Sequence, residues 1–234
     1  MTEHVVRRSP GQQIRPEMIK RWGPRWSRRV GWFLARVIWN TRIIGAENVP
    51  ATGRVLLAGN HTGIIDGPLL HGCIPRGSHF IIKEESFSGV IGFLMRNAGQ
   101  IPVDRGSGRA ALTTALALLN EERAVGVFPE GTRGRGDVSS AKAGIAWLAA
   151  RSGAPVVPVA ILGTRRPGDK RSYVPGFRAR LHVVFGQPFQ PVPADATTGR
   201  AAVTAATERV QQELSAHVSS ATQLTGVDLP HSID

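Results

Sequence analysis

The chain has 234 residues, 41% hydrophobic and 20% charged, enough apolar content for a buried core, and this excludes wholesale disorder. Its one cysteine, Cys73, excludes an intramolecular disulfide framework and any zinc site needing two thiolates. Lys and Arg outnumber Asp and Glu by 29 to 17, and residues 1–42 hold ten of the basic and two of the acidic side chains, so the N-terminal part calls for an anionic partner, a lipid surface or nucleic acid.

The first residues, MTEHVVRRSPGQQIRP, lack the apolar core of a secretory leader, and no run of 18 apolar residues follows, so neither export by that route nor a membrane span is expected. After Gly23-Pro24 the pattern turns helical. At 100° per residue, Trp26, Val30, Phe33, Leu34, Val37 and Ile38 share an arc of about 140°, while Arg25, Arg28, Arg29 and Arg36 lie opposite with Trp32 and Trp39. Bulky apolar groups on one side and guanidiniums with indoles on the other suit a helix lying among lipid headgroups. The expected membrane contacts are Trp22, Trp26, Arg29, Trp32, Phe33, Val37 and Trp39. A core-facing helix with a solvated back is the plain alternative. Nucleic acid is disfavoured, since neither a basic recognition helix nor aromatics interleaved on a sheet are found.

From Arg42 onward, β-branched runs at 42–45, 54–58, 79–83, 100–103, 124–128, 155–162 and 180–185 alternate with helical patterns at 67–72, 88–97, 109–122 and 141–151. Repeated strand–helix alternation predicts an α/β fold: a mostly parallel central sheet flanked by helices, with ligands beyond the carboxyl ends of the strands. Residues 199–218 read as one more amphipathic helix, and the last dozen as a frayed tail. The expected division is a basic N-terminal segment over 1–41, a catalytic domain over 42–220 and a tail over 221–234.

Three segments at predicted strand exits carry chemistry. Asn60-His61-Thr62-Gly63-Ile64-Ile65-Asp66 places an imidazole just after a strand and a carboxylate five residues on. If Asp66 accepts a hydrogen bond from one ring nitrogen, the other is left free to take a proton from a hydroxyl. The alternative is that Asp66 caps a helix N-terminus beside an unrelated histidine. Phe128-Pro129-Glu130-Gly131-Thr132-Arg133 reads as an anion cradle, with Gly131 admitting close backbone approach and Arg133 offering a planar fork to phosphate oxygens. Ile101-Pro102-Val103-Asp104-Arg105 sets another arginine beyond a strand, unless Asp104 and Arg105 merely pair at the surface.

Together with Val157-Pro158-Val159-Ala160, these segments resemble the four ordered blocks of the glycerolipid acyltransferase family, in particular bacterial 1-acylglycerol-3-phosphate acyltransferases. The resemblance runs from about Arg42 to about residue 190. It implies that His61 deprotonates a lipid hydroxyl, which attacks the thioester of acyl-CoA or an acyl carrier protein, with Asp66 orienting the imidazole. It implies a lysophosphatidic-acid-like acceptor whose phosphate is held by Arg105, Glu130, Gly131, Thr132 and Arg133, with Lys83 as a further contact. It also implies phospholipid biosynthesis at the cytoplasmic side of the cell membrane, on an anionic surface, without cofactor, metal or nucleic acid. Pro102-Val103 stand where many relatives have an aromatic and a β-branched residue, which leaves headgroup and chain-length preference open.

Rival readings are another lysophospholipid or a glycolipid alcohol as acceptor, and a non-catalytic protein that binds anionic lipid. Gly106-Ser107-Gly108-Arg109-Ala110-Ala111 imitates a dinucleotide fingerprint, but the charged Asp104-Arg105 sits at its turn. His61, Asp66 and His71 match no common metal-ligand spacing, and Cys73 lies in an apolar segment that suits a core position.

Overall fold

A computed structural model describes residues 14–104, 108–192 and 199–230. Seven strands form one sheet: β1 (Asn40–Ile44), β2 (Val55–Gly59), β3 (Ser78–Lys83), β4 (Ile101–Val103), β5 (Ala124–Val127), β6 (Val156–Leu162) and β7 (Arg180–Phe185). Their order is β1-β7-β6-β2-β5-β3-β4, and every pairing is parallel except that of β6 with β7. Five strands from β6 to β4 therefore run one way, while β1 and β7 run the other at one edge. This is the mostly parallel α/β sheet expected from the alternating pattern.

Six helices connect and cover it: α1 (Gly23–Phe33), α2 (Asp66–Cys73), α3 (Gly89–Asn97), α4 (Gly108–Asn120), α5 (Gly144–Ser152) and α6 (Arg200–Thr225). Every residue of β2 and β6 is buried, because helices cover both faces at mid-sheet. Alternation along the strands divides the core. Leu56, Ala58, Val125, Val156 and Ala160 pack with α4, α5 and α6, whereas Leu57, Phe80, Val157, Val159 and Ile161 pack with α2 and the turn after α1. The right-handed rule for parallel crossovers puts α3, between β3 and β4, on the same face as α2.

The N-terminal helix docks by its smallest residues. Gly23, Ser27, Gly31 and Ala35 recur every fourth position and are buried, and a Cβ added to Gly31 would lie 2.8 Å from the Cα of Gly72 on α2. Pro24 meets Gly77 at one end and Gly31 meets Pro68 at the other, so α1 runs antiparallel to α2. The Ser27 hydroxyl donates to the Gly23 carbonyl and lies 2.8 Å from His71 Nε2, tying α1 to α2. Val30, Trp32, Phe33 and Val37 face outward. The helix thus shows large apolar side chains and arginines to solvent and is nearly bare of side chains where it meets protein.

Three expectations need correction. Trp39 is 5% exposed and donates its indole N–H to the Pro175 carbonyl at 3.0 Å, so it belongs to the core and not to a membrane face. Residues 1–41 do not stand apart as far as they are described: Ile14 and Ile19 join the core, and β1 begins at Asn40, paired with Arg180. The final segment is not frayed over its described length, because α6 continues to Thr225, closes at Gly226 with φ +65°, and is followed by Val227 and Leu229 packed on the core.

Candidate active site

Parallel strands bring their carboxyl ends to one edge, and the segments after β2, β5 and β6 meet there. Asn60 leaves β2 and repeats the ladder with its side chain: its Nδ2 donates to the Ile161 carbonyl at 3.2 Å, and the Ile161 N–H donates to its Oδ1 at 2.7 Å. The chain then turns sharply. His61 Nδ1 donates to Asp66 Oδ2 at 2.9 Å, and the same oxygen accepts the backbone N–H groups of Thr62 at 2.7 Å and Gly63 at 2.8 Å. Asp66 is the first residue of α2 and fully buried, while the imidazole stays partly open to solvent. The carboxylate therefore reaches back to the loop, which decides against the simple helix cap. With Nδ1 committed as a donor, the lone pair of a neutral imidazole sits on Nε2.

The loop after β5 grips His61 by its backbone. Glu130 Oε1 accepts the His61 N–H at 2.9 Å, the Gly134 N–H donates to the His61 carbonyl at 2.8 Å, and the Phe128 ring stacks on the imidazole at 4.3 Å between centroids. Burial pushes the Glu130 carboxyl up to about 7, partly offset by that backbone N–H. Glu130 had been expected to help hold the acceptor phosphate. The contact it makes here is with the main chain of the base, which its carboxyl braces.

Cations collect around the same loop. Arg133 Nη1 donates to the Arg171 carbonyl at 2.8 Å and Arg171 Nη2 returns a bond to the Arg133 carbonyl at 2.6 Å. Gly131 adopts φ +71°, and a Cβ there would lie 2.7 Å from Lys142 Nζ, so the lysine lies across the turn. Arg165, only 1% exposed, donates from Nε to the Asp169 carbonyl at 3.0 Å and from Nη1 to the Gly134 carbonyl at 3.4 Å. Thr132 is exposed beside Arg133. Lys83 ends β3 as an exposed residue on the same sheet edge, separated from β2 by β5. The expectation for Arg105 lies outside the described residues.

Sequence reasoning missed four contributors. Asn60 and the Thr62–Thr164 hydroxyl contact of 3.1 Å join the β2 and β6 exits, Lys142 approaches from the segment before α5, and Arg165 supports Gly134. Asn60 was findable, because an amide at a strand exit beside a candidate base is well suited to prolonging a ladder. Arg165 carried no such signal. His71 is no metal ligand for this site: its two ring nitrogens face Ser27 and Ser78 at 2.8 Å each, and burial lowers it to about 4. Cys73 is buried, as expected of a core thiol.

Comparisons with known proteins point the same way. The family model for acyltransferases matches residues 40–162. A 1-acyl-sn-glycerol-3-phosphate acyltransferase of Bacillus subtilis is 30% identical over 176 residues, spanning 74% of this chain and 85% of that protein. Another of that name, from Borreliella burgdorferi, is 31% identical over 52% of this chain, which spans 51% of that relative. The crystal structure of the Thermotoga maritima 1-acyl-sn-glycerophosphate acyltransferase superposes with a TM-score of 0.65 at 22% identity, covering 85% of this chain and 79% of that one, which shows a shared fold. The matched span holds the His61–Asp66 pair, the Phe128–Arg133 loop and β6, and by it the chain belongs to the acyltransferase family.

Proposed function

We propose that the protein transfers a fatty acyl group from a thioester, acyl-CoA or acyl carrier protein, to the free hydroxyl of a 1-acylglycerol 3-phosphate, as a step of phospholipid synthesis at the cytoplasmic face of the membrane. The observation that carries this reading is the 2.9 Å bond from His61 Nδ1 to a fully buried Asp66, which directs the basic Nε2 outward at the edge where the cations gather. His61 Nε2 takes the proton of the acceptor hydroxyl as its oxygen attacks the thioester carbonyl carbon. The carbon–sulfur bond then breaks, and the proton passes to the departing thiolate. Asp66 holds the tautomer and stabilises the imidazolium between those events. Arg133 and Lys142 receive the acceptor phosphate, the former as a planar fork and the latter as a point charge.

A peripheral seat on the membrane is supported by the outward face of α1, where Val30, Trp32, Phe33 and Val37 are exposed beside Arg29 and Arg36. None of the described helices is long and apolar enough to cross a membrane.

The test is free-thiol release from acyl-CoA against glycerol 3-phosphate, lysophosphatidic acid, other lysophospholipids and glycolipid alcohols, with vesicle binding measured in parallel. Lysophosphatidic acid is expected to give the highest kcat/KM. His61→Ala is expected to lower kcat by at least about a hundredfold while binding anionic vesicles as the parent does. Undiminished thiol release by His61→Ala would falsify the assignment of the base. Binding without turnover of any acceptor by the parent protein would leave a non-catalytic lipid binder.

A further inference from the structure

The α3 helix has an outer face with no partner in the fold. Val90, Ile91, Phe93 and Leu94 are 77%, 62%, 61% and 43% exposed. At 100° per residue these four cover an arc of about 160°, and the buried Gly92 lies opposite its centre. Gly92 sits directly on the Phe87 backbone, where a Cβ has no room, and Arg96 Nη1 donates to the Phe87 carbonyl at 2.7 Å. The helix is thus fixed with its glycine inward and its large apolar side chains outward. A solvent-facing helix of a water-soluble protein shows the reverse arrangement.

We infer that this face of α3 enters the acyl-chain boundary of an anionic bilayer as a second membrane foot beside α1. The inference rests on the membrane seat proposed for α1. Continuity argues for it: the Trp26 indole N–H donates to the Asn97 carbonyl at 3.3 Å, Lys20 Nζ donates to Asn97 Oδ1 at 2.6 Å, and Gly23 packs on the backbone of 97–99. The C-terminal end of α3 is therefore fastened to the start of α1, and both helices lie over the same face of the sheet. Charge argues for it as well. Lys20, Arg25, Arg29, Arg36 and Arg96 border this surface, against Glu84 and Glu85 at the approach to α3. Because α3 begins just beyond the carboxyl end of β3, its first turn lies at the edge occupied by His61. A bilayer meeting α1 and α3 together thus reaches that edge, where an amphiphilic acceptor would leave its leaflet.

The experiment uses the full chain. Cys73 is buried, so a cysteine introduced as Phe93→Cys takes an environment-sensitive fluorophore selectively. A blue shift is expected on adding phosphatidylglycerol vesicles, with none for the same label at Glu208→Cys on α6, across the sheet. Ile91→Ser with Phe93→Ser is expected to weaken vesicle binding by about tenfold or more, with an unchanged urea midpoint and unchanged turnover of water-soluble short-chain substrates. If the parent binds these vesicles and Trp32→Ser with Phe33→Ser weakens that binding, while the Phe93→Cys label stays silent and the α3 variant binds normally, the second foot is overturned and the α1 seat stands. If the parent does not bind vesicles at all, both fall. Unaltered vesicle binding with a raised KM for long-chain acyl donors also overturns it, by giving the face to the acyl chain of the substrate.

Discussion

Replacing Asp66 by asparagine separates charge from geometry at the proposed base. Asp66 Oδ2 accepts three N–H groups, from His61 Nδ1, Thr62 and Gly63. Two of these are backbone donors that cannot become acceptors, so an amide at this position must keep its oxygen there. His61 then retains its Nδ1–H tautomer, and Nε2 keeps its lone pair. What is lost is the negative charge that stabilises the imidazolium. The expected fall in kcat is about 10² to 10³, smaller than the roughly 10⁴ seen where an amide turns the histidine to the wrong tautomer. The amide NH₂ would also replace the buried Oδ1, which has no hydrogen-bond partner among the described residues, at a cost of about 1–3 kcal/mol in stability. Thiol-release kinetics and urea unfolding on the same preparations measure both. A folded Asp66→Asn enzyme with a loss of 10⁴ or more, or with no loss, would refute this account of the backbone clamp.

The remaining expectations address packing, substrate and pH. Gly72→Ala would place its methyl inside the Gly31 backbone and force α1 away from α2; with the Ser27–His71 contact also broken, unfolding free energy is expected to drop by about 2–5 kcal/mol, and a urea midpoint equal to the parent's would disprove this packing. Arg133→Ala is expected to raise the KM of the phosphorylated acceptor about 10- to 100-fold and that of the acyl donor much less; the opposite split in steady-state kinetics would move Arg133 to the donor side. His71 and His79 are held neutral by burial, each at about 4 against an ordinary 6.5. The unfolded chain therefore binds more protons between those values, and their contribution is complete above 6.5 and lost as pH falls toward 4, on the order of 3 kcal/mol each. Urea titrations between pH 7 and 4.5 should show this slope and His71→Gln should flatten it; a parent midpoint constant over that range would contradict it.

Much of the architecture was readable because both periodicities were clean. The β2 and β6 segments are unbroken apolar runs, which only strands covered on both sides bear, and the placement of β2 and β5 in the chain predicted where His61 and the Phe128–Arg133 loop would emerge. The amphipathic reading of α1 grouped Val30, Phe33 and Val37, which face outward, with Leu34 and Ile38, which pack on the core, and it missed the docking surface, since Gly23, Ser27 and Gly31 contribute almost nothing to a hydrophobic pattern. Trp39 was misplaced because a helical wheel was carried past the end of the regular helix: a π-helical turn occupies Leu34–Ile38, and Trp39 itself is extended. In the site, spacing allowed the pairing of His61 with Asp66 and the strand exit and family resemblance singled it out, whereas the bonds from Thr62 and Gly63, the brace from Glu130 and the support from Arg165 depend on backbone positions that no residue pattern encodes.

The Glu130 and Gly134 bonds to the His61 main chain make the two loops one mechanical unit. Swapping residues 129–136 between relatives would shift the proposed base along with the proposed phosphate cradle, and such chimeras should lose turnover number as well as affinity. Lys83 ends β3, two strands away from β2, so a mutation there would test its proposed part in acceptor binding without tugging on the imidazole.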